Sequence, residues 1–96
     1  MRRHAIAIKQ QDNVATAIRD IPPGEVALVG VGDVTVTVAV SQAIPLGHKF
    51  ALSAIGRGEE ILKYGTVIGR ATRDIAPGEH VHVQNVESMR GRGDLA

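Results

Sequence analysis

Ninety-six residues make one domain, near the lower end of what folds alone. Apolar side chains are 44% of the chain but aromatics only 2%, namely Phe50 and Tyr64, so the core is thin and a surface or shared site is expected rather than a deep private pocket. A net charge of +1 offers no basic face to a polyanion, the scarcity of aromatics removes stacking platforms, and the absence of cysteine rules out disulfides and thiolate metal sites, so nucleic acid is excluded as a partner.

The basic start, Met1-Arg2-Arg3-His4, is followed by an apolar stretch that ends at Ile8, too short for a signal-peptide core, and no run approaches a membrane span. A cytoplasmic protein with no membrane partner is expected. Ala5 to Ile8 reads as a short strand. Asp12-Asn13 then offers an N-cap to Val14, Ala15, Ala17 and Ile18, and this spacing predicts one short helix near residues 12–19, stopped by Pro22 and Pro23. Pro22-Pro23-Gly24-Glu25 fits a type II turn, with Pro23 fixing φ and Gly24 supplying a positive one.

Val26 to Val31 is a β-rich apolar run, and Gly30 to Asp33 reads as a hairpin turn. Residues 34–40 form the clearest strand, with valines 34, 36, 38 and 40 on one face and Thr35 and Thr37 on the other. Brief apolar runs then alternate with glycine turns: Phe50 to Ile55, Glu60 to Tyr64, Thr66 to Ala71 and His80 to Val86. The fold is therefore expected to be mainly β. From Glu87 onward no apolar period remains, which gives a domain over residues 1–88 and a tail or linker over 89–96. Gly30-x-Gly32 and Gly91-x-Gly93 lack the strand–helix unit and lysine of a phosphate loop, and Arg92-Gly93-Asp94 is a chance tripeptide.

The phrase Ile-x-x-Gly recurs four times, at Ile21, Ile44, Ile55 and Ile75. Three copies run into Glu25, Glu59 and Glu79; the second runs into His48-Lys49. A longer echo links Ala17 through Glu25 to Ala71 through Glu79. Either one corner is built twice in a pseudo-symmetric fold, or strand ends with Pro-Gly turns converge on one phrase.

The odd turn, Gly47-His48-Lys49, is the main candidate for chemistry. Imidazole titrates near neutrality and can serve as acid, base or ligand, while an ammonium can hold a carboxylate. Spacing alone equally allows a solvated turn. Lys63-Tyr64-Gly65 comes next, although a lone tyrosine in an aliphatic domain commonly packs with its hydroxyl wet. His80-Val81-His82 puts two imidazoles on one side of a strand; a metal shell would need a third ligand from His48, His4, an acid or another chain.

Taken in order, Asp12-Asn13-Val14-Ala15, Ile44-x-x-Gly47-His48-Lys49-x-Ala51, Lys63-Tyr64-Gly65-x-x-Ile68-Gly69-x-Ala71 and Gly78-x-x-Val81-His82-x-x-Asn85 resemble the SAF domain of the altronate/galactarate dehydratases, over roughly residues 4 to 90. The module is also similar to the small subunit of sulfolactate sulfo-lyase. The resemblance implies a β-clip fold and a hydro-lyase acting on a sugar acid. It implies a divalent metal, chiefly iron, in an assembled enzyme whose large catalytic subunit or domain holds most of the site, with no cofactor on this chain alone. It points to His48 as catalytic and to Lys49, Lys63, Tyr64, His82 and Asn85 as substrate-contacting. Two positions depart from the family pattern: Gln84 and Lys9 stand where relatives often carry histidine. An amide cannot act as a base, but it can still hydrogen-bond. The competing reading is a non-catalytic module that binds an acidic carbohydrate or a partner protein. The identity of the acid, dehydration against sulfite loss, the metal, and whether the chain forms a homo-oligomer are left open.

Overall fold

The computed structural model describes residues 3–88. Nine strands follow in order: β1 (Ala5–Ala7), β2 (Val14–Ala17), β3 (Val26–Val31), β4 (Val34–Ala39), β5 (Lys49–Ala51), β6 (Glu60–Lys63), β7 (Thr66–Ala71), β8 (His80–Val81) and β9 (Val86–Ser88). One sheet has the order β4-β3-β1-β2-β5-β8, the other β6-β7-β9. The mainly β expectation holds, and the fold is consistent with a SAF-like β domain. Glu87 and Ser88, where the sequence shows no apolar period, belong to β9; residues 89–96, expected as the tail, lie outside the described residues.

The helix expected near residues 12–19 is a correction: no helix occurs among the described residues, and 14–17 is strand β2. The cause is burial on both faces. Val14 belongs to one core cluster, with Ala51, Ile55, Ile61, Ala71, Ile75 and Val81. Ala15 and Ala17 belong to the other, around Phe50, Ile21, Ile44 and Val29. A strand shared between two cores loses the polar alternation that would betray it, and its apolar run then mimics a helix. Strand β5 is shared in the same way, with Phe50 turned into one core and Ala51 into the other. In β4, Val38 is buried but Val34 and Val36 are exposed, so the β3–β4 hairpin extends past the core.

All four Ile-x-x-Gly phrases are the same corner. Gly24, Gly47, Gly58 and Gly78 have φ between 83° and 86°, and the N–H of the residue after each glycine closes the turn onto the carbonyl of Pro22, Pro45, Gly56 or Ala76. The φ value at these glycines is that of the third residue of a type II turn, which favours glycine there. The corners pair. Ile21 and Ile44 exchange both backbone hydrogen bonds at 2.9 Å, and Ile55 and Ile75 do so at 2.9 and 2.8 Å. The long sequence echo is structural as well: Asp20 accepts a hydrogen bond from Leu46 N–H at 2.8 Å, and Asp74 accepts one from Arg57 N–H at 2.9 Å, each at the third position of the opposing corner. Pseudo-symmetry, not convergence, accounts for the repeat.

The expected N-cap residues do other work. The Asp12 side chain, 6% exposed, accepts hydrogen bonds from the N–H groups of Ile8 and Lys9 at 3.2 Å, Tyr64 at 2.9 Å and Gly65 at 2.7 Å. Tyr64 and Gly65 form the two-residue β6–β7 hairpin turn, and both have positive φ, 55° and 75°. Such a φ is costly at tyrosine, and the carboxylate holds the turn in place. Asn13 adds a clasp, accepting from Leu62 N–H at 2.8 Å and donating to Glu60 carbonyl at 2.9 Å.

Burial works to raise the Asp12 carboxyl, but the four N–H donors outweigh it and hold its pKa below the ordinary 3.8. A depressed pKa contributes stability that is complete above that ordinary value and fades as pH falls below it. Asp12→Asn should therefore lose about 1–3 kcal/mol in urea unfolding at pH 7, with the gap to wild type closing as pH falls below about 4. An equal gap at pH 7 and pH 3 would contradict this role.

Candidate functional site

Three imidazoles meet at the free edge of the six-stranded sheet. Strand β8 pairs antiparallel with β5, with Lys49 opposite Val81 and Phe50 opposite His80. His48 immediately precedes β5 and His82 immediately follows β8, so both flank this pairing. The rings of His48 and His82 stack with centroids 4.5 Å apart, His48 and His80 at 5.1 Å, and His80 and His82 at 5.3 Å. His48 Nδ1 and His80 Nε2 lie 2.9 Å apart, a hydrogen bond in which one ring donates.

His48 is released to this cluster by its own turn. Glu59 and Glu79, at the same place in their corners, accept hydrogen bonds from Gly56 N–H and from Ala76 N–H. The corresponding residues in the other two corners are Pro22 and Pro45, which have no N–H to offer. The side chains after those turns therefore bond elsewhere: Glu25 pairs with His4, and His48 turns to His80.

The edge itself is firmly held. Asn85, fully buried, accepts from His82 N–H at 3.0 Å and donates to His80 carbonyl at 2.8 Å. His80 N–H donates to Gln42 at 2.9 Å. Gly78, just upstream, packs so closely under Ala39 that an added Cβ would lie 1.9 Å from its carbonyl oxygen. The Gln84 amide comes within 3.4 Å of both His80 Nδ1 and the His80 carbonyl, so this position does keep a polar contact with the cluster.

Beside the imidazoles lies an open groove of about 320 Å³, whose lining includes Lys49, Lys63, Ile68, His82, Val83 and Val86. Lys49 points to the face of β5 away from His48, and β8 ends at Val81, so the chain that turns away brings His82 to the same groove. The Lys49 ammonium is half-buried; burial, and then the charge of Lys63, lower its pKa from the ordinary 10.5. His80 is lowered from 6.5 by burial first, then by the charges of His48, His82 and Lys49. Burial and like neighbouring charges both disfavour the charged forms of Lys49 and His80.

The structure thus brings together His48, Lys49, Lys63 and His82 of the expected site residues. Tyr64 stands apart from the groove lining at a hairpin tip, 40% exposed, with Lys63 Nζ 5.0 Å from its ring centroid. Asn85 is enclosed, and its amide serves the backbone that carries His80 and His82. His80, read only as half of an H-x-H pair, is central. As a donor set, three imidazoles offering one ring nitrogen each, all within 4.8 Å of one another, fit a borderline divalent metal ion.

The family model of the altronate/galactarate dehydratase SAF domain matches residues 3–89. The chain belongs to this family. It is 46% identical to the altronate dehydratase of Bacillus subtilis (strain 168) and 45% identical to that of Escherichia coli (strain K12), over 83 residues in each case, or 86% of this chain. It spans 16% of the length of each of those two proteins. It is also 45% identical over 58 residues to the (2R)-sulfolactate sulfo-lyase subunit alpha of Chromohalobacter salexigens, covering 60% of this chain and 62% of that one. The SAF domain is thus one associated with dehydratases and lyases. No helix of the described residues is long and apolar enough to cross a membrane.

Because His80 is lowered by burial and by its cationic neighbours, its imidazole should titrate below pH 6.5 in a proton-NMR pH series, and His48→Ala should move that midpoint upward. A midpoint at or above 6.5 in the parent chain would contradict the packing described for the cluster.

Proposed function

We propose that this chain is the SAF part of a hydro-lyase that dehydrates a sugar acid, supplying one wall of an active site that a large catalytic subunit or domain completes. The observation that carries the reading is the groove, where two ammonium groups face the space beside an imidazole cluster. That combination matches the two ends of a hydroxy acid: a carboxylate for Lys49 and Lys63, and a hydroxyl for the imidazoles. Leu46 and Val83, two residues before His48 and one after His82, are 62% and 81% exposed, which suits a face covered by a partner surface.

Dehydration of a 2,3-dihydroxy acid breaks the C–H bond next to the carboxylate, and its electron pair becomes a C=C bond as the neighbouring C–O bond breaks. The hydroxide leaves with a proton as water, and the resulting enol converts to a 2-oxo acid. Charge accumulates on the carboxylate as the proton departs, and two lysines in a partly dry groove stabilise it more than water does. The imidazole cluster, through His48, meets the departing hydroxyl; the acceptor of the carbon-bound proton belongs to the large part. A divalent metal, when bound, supplies Lewis-acid polarisation of the substrate oxygens.

In the assembled enzyme, Lys49→Met and Lys63→Met should each raise KM for the acid about 10-fold or more, the size of a lost charge-assisted hydrogen bond. His48→Ala should instead act mainly on kcat. Steady-state kinetics across a panel of sugar acids checks both; unchanged kcat and KM in all three variants would reject a site role for this face.

A further inference from the structure

We infer that His48, His80 and His82 together form a transition-metal site carried by this chain itself, for a borderline divalent ion such as Zn(II), Co(II), Ni(II) or Fe(II). The inference deepens the hydroxyl end of the site described above and rests on that reading only for what the metal acts upon. It replaces the expectation that the chain alone holds no cofactor.

The geometry is that of a half-assembled shell. Two ligand nitrogens at about 2.1 Å from one ion are roughly 3–3.5 Å apart. His48 Nδ1 and His80 Nε2, at 2.9 Å, already stand near that spacing. One ligand atom from each of the three rings lies within 4.8 Å of the others, and turning the near-parallel rings about their side-chain bonds brings the lone pairs to one point. The proton shared between His48 and His80 leaves that contact when the metal binds, and the ring that donated it carries it on its other nitrogen as the opposite tautomer.

The scaffold is rigid where a ligand set needs it. His80 lies in β8 and His82 directly after it with ring centroids 5.3 Å apart, β5–β8 pairing brings His48 beside them, and Asn85 and Gln42 fix the backbone there. Gln84 Nε2 lies 3.4 Å from His80 Nδ1, and turning the amide to present its oxygen lets it accept from Nδ1–H when His80 Nε2 holds the metal. No cysteine, aspartate or glutamate joins the three imidazoles among the described residues. Three protein ligands with remaining positions open is the pattern of a metal that takes up substrate oxygen rather than one that only staples a fold. The adjoining groove, with Lys49 and Lys63 beyond His82, is where such an oxygen arrives.

The test uses the untagged 96-residue chain, stripped with chelator and titrated with Co(II) by visible absorption and with Zn(II) by calorimetry at pH 7.5. One ion per chain is expected, with micromolar affinity or better. His48→Ala and His82→Ala should each weaken affinity about 100-fold, and Gln84→Ala about 10-fold. His4→Ala removes an imidazole outside the cluster and should leave affinity unchanged. Circular dichroism confirms folding of each variant, and His48→Gln and His82→Gln stand in where an alanine variant fails to fold. Binding weaker than millimolar, or equal affinity in the parent and both cluster variants, overturns the inference. Metal binding by the chain without dehydratase activity in the assembled protein would instead sink the lyase reading and leave this site standing.

Discussion

The corner made of Ile-x-x-Gly is the constraint on which the rest of this fold depends. A chain with almost no aromatic side chains cannot rely on large core residues, so its strands must be held by backbone pairing at their ends. Each isoleucine buries its side chain and trades two hydrogen bonds with its counterpart, while the glycine takes the positive φ that folds the strand back. The corners meet in pairs, one pair to each core cluster, and β2 and β5 run between the two cores as a shared wall. Because the backbone groups in these corners are satisfied internally, little is demanded of the side chain that follows, and that is where the four corners diverge.

The divergence is chemical and local. An N–H at the second position of the corner lets the following glutamate fold back and cap it; a proline there removes the donor. Glu59 and Glu79 are thereby consumed by scaffold, whereas Glu25 and His48 are freed. His48 emerges at the start of β5 beside the sheet edge that carries His80 and His82, and Lys49 follows on the opposite face beside Lys63 and the groove. One proline-containing turn thus feeds both the imidazole cluster and the cationic wall. The last corner, through Gly78 wedged beneath Ala39, anchors the short strand β8 that completes the arrangement. The site owes its geometry to two corners distant in sequence and to the pairing of β5 with β8.

Much of this was legible in the sequence, and the failures share one physical origin. Strands 26–31 and 66–71 follow their apolar β-branched runs, and the turns follow their glycines and prolines. Strand β2 was not legible because burial on both faces erased its alternation. The odd turn at His48 stood out because its terminal residue broke a repeated pattern. The central position of His80 did not, since it depends on a cross-strand register fixed 32 residues away. Asp12 and Tyr64-Gly65 are two signals that proved to be one interaction, and Asn85 reads like a surface polar residue while it is sealed in the core. Local chemistry reveals turns and strands; it does not reveal which polar side chains are spent on distant backbone.

The account's central claim is that the face of Lys49, Lys63 and the imidazole cluster meets the substrate in an assembled lyase. The most direct measurement is a crystal structure of the complete enzyme trapped with a non-reacting sugar acid. The account predicts a substrate carboxylate oxygen within hydrogen-bond distance, about 2.7–3.2 Å, of the Lys49 or Lys63 ammonium, with the hydroxyl end towards His48 and His82. A substrate bound wholly within the large part, with this face turned to solvent, would contradict it.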